Sequence, residues 1–302
     1  MRISLHNHSN RCDGECTPEE IVWAAIEGGL SHVAITDHLD SEKLRPFVGI
    51  TPETMSDYVA EVRDLAARYA DRIAVLAGVE IDFNRERTAF DSFDTPELAS
   101  ELLGGLDLVL FEYVQDSKWD GEDLATFSDL RRNISLPVGL AHPDLLATFS
   151  GLSPEAAAGM LAEHNVFLEL CPSPRNAVLD LADDLHREQF EEDALRLDDE
   201  YQMVLEEFGK DPGNEDLLKR MDELHVKLAE LQSQELWVPS YRVSDPFIKG
   251  FFHAVRQRGV LLSIGTDSHG HWEEVNAIDD AVDFIVKNDL TDNLITAHLW
   301  QR

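Results

Sequence analysis

The sequence predicts an α/β fold, a barrel of seven βα units, and three observations carry that prediction. Short apolar runs alternate with helical patterns along 302 residues, the signature of parallel strands joined by crossover helices. Five of those runs deliver His, Asp or Glu at or just past their ends, at the level where a barrel presents the C-terminal ends of its strands. A chain of this length that is 43% hydrophobic can bury the core of one barrel domain. Seven units favour a barrel over an open sheet, although alternation by itself does not prove closure.

The predicted strands span residues 2–6, 32–36, 72–80, 107–111, 137–141, 166–170 and 260–265. Helix starts are written between them. Thr17-Pro18-Glu19-Glu20 sets a cap, a first-turn proline and first-turn acids in order, and Ser153-Pro154-Glu155 repeats the device. Gly28-Gly29 supplies a helix stop ahead of the second strand. One segment breaks the alternation. Phe190, Ala194, Leu197, Tyr201, Val204 and Phe208 step by four and three, and after the turn at 210–214 Leu217, Met221, Leu224, Leu228 and Leu231 step likewise. This predicts a helical hairpin over 184–235 between the sixth and seventh strands, inserted into a single domain of residues 1–302. It reads as an insertion packed on itself or as a homodimerisation arm.

Composition narrows the function classes. Fifty-nine acids against 25 Lys and Arg give a net charge of −34, which repels long nucleic acids because their binding rests on cationic side chains. A small anionic substrate remains compatible where metal cations reverse the field inside one pocket. No stretch approaches a membrane span and the N-terminus is too polar for a secretory signal, so a soluble, cytoplasmic protein is expected. The three cysteines, Cys12, Cys16 and Cys171, are expected to be reduced, with the first two as loop thiols that lack the further ligands a zinc knuckle needs.

The chemistry sits at the strand ends. His6 and His8 are two apart and so face one side of their strand, and two imidazoles on one face can share a cation. Asp267 and His269 repeat the spacing after the last strand. His38 ends the second strand, Glu80 the third and His142 the fifth. Core histidines scatter, whereas these lie at one topological level. The mixture of nitrogen and oxygen donors suits Zn, Mn or Fe ions, and Glu80, with two carboxylate oxygens, is the natural bridge between two of them. A multinuclear hydrolase site follows, in which Asp37 has the position of an acceptor that orients a neighbouring imidazole.

In order, these residues resemble the PHP (polymerase and histidinol phosphatase) family. The shared pattern is His6-x-His8, Asp13-Gly14, Thr36-Asp37-His38, Gly78-x-Glu80, Ala141-His142-Pro143 and Thr266-Asp267-x-His269. The resemblance covers the chain from His6 to His269 apart from the hairpin, and the ordered set is specific although each piece is not. It implies a distorted (β/α)7 barrel with two or three divalent ions. His6, His8, Glu80 and Asp267 would hold one, Asp13, His38 and His269 another, and Glu80 and His142 a third. The segments 19–30 and 55–82 are most similar to the histidinol phosphatase branch.

Two departures stand out. Cys12-Asp13-Gly14 replaces that branch's Cys-Gly-His, and no histidine lies between His38 and His142, where family members carry one just after the fourth strand. Val114 aligns with it. Glu112, two residues earlier, would supply an oxygen ligand instead, or the third ion is weakly held or absent.

The expected activity is hydrolysis of a small phosphomonoester by a metal-held hydroxide on the Glu80-bridged ions, with Asp267 and His269 beside it. Histidinol phosphate is the most economical named substrate. Arg175, and after it Arg242, would clamp the phosphate oxygens. A nucleotide or oligonucleotide phosphoesterase is the second reading, and a non-catalytic metal-binding assembly module the third.

Overall fold

The computed structural model describes residues 2–39, 49–88, 90–172, 177–179, 237–270 and 272–295, with scattered positions between 196 and 227. Seven parallel strands form one sheet. They are β1 (Ile3–Ser4), β2 (His32–Ile35), β3 (Ala74–Asp82), β4 (Leu108–Glu112), β5 (Val138–Leu140), β6 (Val166–Leu170) and β9 (Leu262–Ile264), adjacent in that order. A separate two-stranded ribbon, β7 (Ala177–Leu179) with β8 (Trp237–Pro239), has no counterpart in the sequence reading.

The sheet turns back on itself. Leu5 N–H donates to the Ile264 carbonyl at 2.7 Å and Asp267 N–H to the His6 carbonyl at 3.1 Å, so β9 lies against β1. Regular pairing spans only two residues of β1 and three of β9, which makes this seam the short, distorted side of the (β/α)7 barrel. Asn7 stitches it from the other side of the strand: its amide donates to the Ala34 carbonyl at 2.9 Å, and its side-chain oxygen accepts from Ser268 Oγ at 3.1 Å. His6 and His8 are thereby fixed on either side of a pinned residue.

Helices α1 (Pro18–Glu27), α2 (Met55–Arg68), α3 (Pro96–Leu102), α4 (Leu124–Arg131), α5 (Leu145–Thr148), α6 (Pro154–Glu163), α7 (Pro246–Arg258) and α8 (Asp279–Lys287) accompany the strands. The start signals work as written. The Thr17 hydroxyl accepts from Glu20 N–H while the Glu20 carboxylate accepts from Thr17 N–H, a reciprocal capping box. Ser153 caps Ala156 with Pro154 in the first turn. Strands buried on both faces need apolar side chains throughout, and β3 reads AVLAGVEID accordingly, with Glu80 and Asp82 at its C-terminal end. Tyr58 of α2 packs beneath, its hydroxyl 2.8 Å from both the Ile35 and Gly78 carbonyls, which ties α2 to β2 and β3. A cluster of Phe83, Phe90, Phe111 and Phe127 fills the space under α4 with stacked and edge-on rings.

The chain divides into two compact units, Met1–Ala177 with Pro239–Arg302, and Val178–Val238. The predicted hairpin at 184–235 falls in the second and lies largely outside the described residues. Within it Val204 and Leu224 are buried, and Arg220 Nη2 is 2.9 Å from Glu200 Oε1. No helix among the described residues is long and apolar enough to cross a membrane.

Candidate metal centre

The C-terminal ends of β1, β2, β3, β4, β5 and β9 converge on one buried cluster. His6, His8, His38, Glu80, Glu112 and Asp267 are buried, with Asp13, His142 and His269 closing the open side. The donor atoms of His6, Glu80, His142 and Asp267 lie within 4.8 Å of one another; so do those of His8, Asp13, His38 and His269, and those of His38, Glu80 and Glu112. The nine metal-site candidates named above therefore meet in one cluster, with His6 Nε2 and His8 Nε2 each 3.3 Å from a Glu80 oxygen and 3.6 and 3.3 Å from Asp267 Oδ1. His142 gathers with His6 and Asp267, and His8 faces Asp13 and His38 as well as Asp267.

Glu80 is the hub. Its Oε1 is 3.0 Å from His142 Nε2 and 3.3 Å from His6 Nε2, while Oε2 is 3.1 Å from His38 Nδ1 and 3.3 Å from His8 Nε2. One carboxylate thus addresses two groups of imidazoles with separate oxygens. Glu80 Oε2 and Asp13 Oδ1 are buried without a hydrogen bond, a costly state that a cation among the donors would relieve. The donor set of imidazole nitrogens and carboxylate oxygens fits divalent ions.

Two of the imidazoles, His6 and His269, are held with Nε2 toward the cluster by a partner at Nδ1. His6 Nδ1 donates to Glu169 Oε1 at 3.0 Å, so Nε2, which faces Glu80 and His8 Nε2, the latter at 2.9 Å, is the nitrogen that would meet a cation on giving up its own proton. His269 Nδ1 lies 2.9 Å from the Asp267 carbonyl, which likewise frees Nε2 toward Asp13, 3.4 Å away. Glu169 also accepts from the His142 backbone N–H at 2.6 Å. The sequence reading passed over Glu169. Its signal was present: Val-Phe-Leu-Glu-Leu, β6, sets one charge in a fully buried apolar strand. Gly265 makes room for it, since a Cβ there would stand 1.8 Å from Glu169 Oε1 and 2.4 Å from the His6 Cβ.

Two further expectations change. Cys12 is not a loop bystander: it is buried, with Sγ 2.9 Å from Asp37 Oδ1 and 3.5 Å from His8 Nδ1, and burial and Asp37 push its thiol up to about 12. It therefore stays protonated and props His8 from behind. Asp37 orients no imidazole directly; its carboxylate accepts Ser9 N–H at 2.6 Å, Ser9 Oγ–H at 2.7 Å and the Cys12 thiol, fixing the loop that delivers Asp13. At the fourth strand, β4 ends at Glu112, whose Oε1 is 3.6 Å from His38 Nδ1 and Oε2 3.9 Å from His142 Nε2. Val114 lies in the apolar core, because the chain turns through Tyr113 at φ 61°.

Electrostatics follow the geometry. Burial favours the neutral form of Glu80, yet His6, His38 and His142 hold it well below the usual carboxylate range. Asp267 is held low in the same way by His8, His142 and His6 against the cost of burial. Burial lowers His6, but Glu169 and Glu80 outweigh it and raise the group well above its ordinary value. For His142, burial is outweighed by Glu80 and Asp267, and its pKa is pushed up to about 9. In the absence of metal the cluster stores protons where cations would sit.

The two phosphate-clamp candidates fare differently. Arg175 lies outside the described residues. Arg242 forks onto Asp280, Nη2 to Oδ1 at 2.8 Å and Nε to Oδ2 at 3.1 Å, with a further bond to the Asp280 carbonyl. That guanidinium serves as the ordinary ion-pair partner of α8.

The PHP domain family profile matches residues 4–211. Among curated proteins, the chain is 34% identical over 82 residues to "DNA polymerase/3'-5' exonuclease PolX" of Bacillus subtilis (strain 168), covering 27% of this chain and 14% of that one. It is 25% identical over 191 residues to the "Probable histidinol-phosphatase" of Deinococcus radiodurans, covering 53% and 71%. Among solved structures it superposes on a histidinol phosphate phosphatase from Lactococcus lactis subsp. lactis, crystallised with zinc, L-histidinol and phosphate. The TM-score is 0.51 at 15% identity, over 95% of this chain and 93% of that one, a likeness of fold.

Proposed function

This chain belongs to the PHP family, and from that premise we propose that it is a metal-dependent phosphomonoesterase whose substrate is a small phosphate ester, histidinol phosphate first among them. The observation that carries the proposal is the divided Glu80 carboxylate, with one oxygen toward His6 and His142 and the other toward His8 and His38. Two groups of donors share one bridge, the arrangement that two adjacent cations need.

His6, Glu80, His142 and Asp267 would hold one ion, His8, Asp13, His38 and His269 a second, and His38, Glu80 and Glu112 a third. When bound, such ions lower the pKa of coordinated water, hold phosphate oxygens and offset the charge of a departing alkoxide. The chain's own residues do the rest. Glu169 fixes His6 and the His142 backbone, so the first donor group keeps its geometry. Cys12 and Asp37 brace His8 and the Asp13 loop. Asp267 and Glu80 stay ionised, because surrounding imidazoles outweigh the cost of burial. Donors pre-set in a buried pocket need no rearrangement during reaction, which is where such sites gain their rate.

The match to the Deinococcus protein over 53% of this chain supports the histidinol phosphate reading. The 82-residue match to the Bacillus polymerase supports a second, a nucleotide phosphoesterase, with the net charge of −34 opposing long polymers. Phosphate release by Mn²⁺- or Zn²⁺-loaded protein decides, across histidinol phosphate, nucleoside mono- and bisphosphates and sugar phosphates. Preference for histidinol phosphate supports the first reading, and activity on nucleotides alone supports the second. Silence throughout, with metal bound, overturns both and leaves a metal-binding assembly module.

A further inference from the structure

Three non-glycine residues at the metal cluster hold left-handed backbone: His142 at φ 29°, Asp267 at φ 50° and Tyr113 at φ 61°. Such conformations are strained and persist at sites where the surroundings enforce them. Two belong to the proposed ligands. Tyr113, which follows Glu112, is not a ligand, and its strain asks for another account.

The loop that Tyr113 opens is built to hold one ring. Tyr113 stacks on Trp119 with centroids 5.1 Å apart and planes 21° from parallel, and meets the His142 ring edge-on at 6.1 Å. The loop is clamped from below. Arg87 forks onto buried Asp82 at 2.6 and 3.0 Å and donates to the Trp119 carbonyl at 2.6 Å, while Asn84 donates to the Asp120 carbonyl at 2.9 Å. The chain then returns against itself through Gly121, where a Cβ would stand 1.6 Å from the Tyr113 carbonyl oxygen. All this backbone order supports an indole that remains 46% exposed. A large aromatic ring stacked on Tyr113, one ring removed from a proposed ligand, with Lys118 Nζ 6.0 Å from its centroid and nearly half its surface in solvent, is a preformed stacking surface.

We propose that Trp119, backed by Tyr113, is a specificity-determining residue that stacks on a flat ring in the leaving group of the phosphate ester. The inference rests on the phosphomonoesterase reading and deepens it, by stating the class of ester: one whose alcohol carries a planar unsaturated ring within a few bonds of phosphorus. Trp119 acts on binding of the organic part, with the metal donors untouched.

The test uses phosphonates, which resist hydrolysis, so that binding is separated from turnover. Calorimetric titration of the Mn²⁺-loaded protein with phenylphosphonate and with methylphosphonate gives the preference for a ring. The wild-type protein should favour the phenyl compound, and Trp119→Ala should weaken it roughly three- to tenfold, the scale of one aromatic stack. Methylphosphonate affinity and metal content should stay unchanged, and Trp119→Phe should restore most of the preference. Equal affinity of the wild-type protein for the two phosphonates, or a preference that survives Trp119→Ala, overturns the proposal. Phosphate release from phenyl phosphate, assayed in parallel, reports on the phosphomonoesterase reading alone: a protein that binds with ring preference but releases nothing refutes that reading and leaves the stacking surface standing.

Discussion

The two sides of the metal cluster are held by different means. On the β1–β9 side, His6, His8 and His269 each have the ring nitrogen that faces away from the cluster engaged, by Glu169, Cys12 and the Asp267 carbonyl respectively. On the β4 side, Glu112 faces His38 and His142, and the chain beyond it is fixed by left-handed turns at Tyr113 and Gln115 and by a clamp from Arg87. The first side is positioned by contacts behind each ring, two of them from the side chains of Glu169 and Cys12, and the second by the backbone conformation of one clamped loop. Supporting contacts can be deleted one at a time on the first side, whereas the second is a single loop that stands or falls together.

The largest expected effect removes what both sides share. Glu80→Gln keeps the shape but not the charge of the bridge, and steady-state phosphate release should fall on the order of 10³-fold or more, since several kcal/mol of charge stabilisation are lost. A rate near that of the wild type would refute the bridge. Next comes the β1–β9 side alone. Glu169→Gln should weaken metal affinity roughly 10–100-fold, as loss of a partner behind a ligand does, and Gly265→Ala should do at least as much by driving a methyl group into Glu169 and His6. Competition with a chelator measures both.

Glu112→Gln sharpens the comparison from the other side. Metal analysis by mass spectrometry should show about one equivalent lost with the remainder retained, because the β1–β9 donors do not depend on it. Loss of all metal would mean that the two sides are one unit. Acidity supplies a fourth check. His142, raised to about 9 in the folded protein against about 6.5 unfolded, contributes stability that is fully present below pH about 6.5 and lost as pH rises through about 9. Chelated protein should therefore melt at progressively lower temperature across that window. Metal-loaded protein should not, since metal must displace the same proton, and its affinity should rise over the same range. Parallel melting curves for the two forms would contradict the proton-storing account. The smallest effect is expected at Arg242→Ala. KM should move less than about twofold and stability by roughly 0–1 kcal/mol, the value of a partly exposed ion pair; a large rise in KM would return Arg242 to the site.

The barrel and the ligand strands were legible because both are periodic. Alternation marks βα units, and His6, His8, His38, Glu80, His142, Asp267 and His269 mark one level of the sheet. What stayed hidden depends on packing between segments far apart in the chain. Glu169 lies 163 residues from His6, and a single acid in an apolar strand reveals no partner. Cys12 looked like a loop thiol because nothing local states that Asp37 closes over it. The turn at Tyr113 that withdraws Val114 from the site leaves no trace in residue types, since left-handed backbone at a tyrosine is imposed by the surrounding loop. The ion pair of Arg242 was hidden for the same reason: Asp280, its partner, lies 38 residues on.

The seam where β9 meets β1 has a consequence for how the protein is made. His6 and His8 leave the ribosome first, while Asp267 and His269, their neighbours across the seam, follow some 260 residues later. At synthesis rates of about 5–20 residues per second, the first donors wait at least ten seconds or so for the last. Until then the nascent chain presents a pair of imidazoles with half a site. A cation shared by these four residues would be held fully only once the last strand of the barrel has arrived, and would then clasp a two-residue strand and a three-residue strand together.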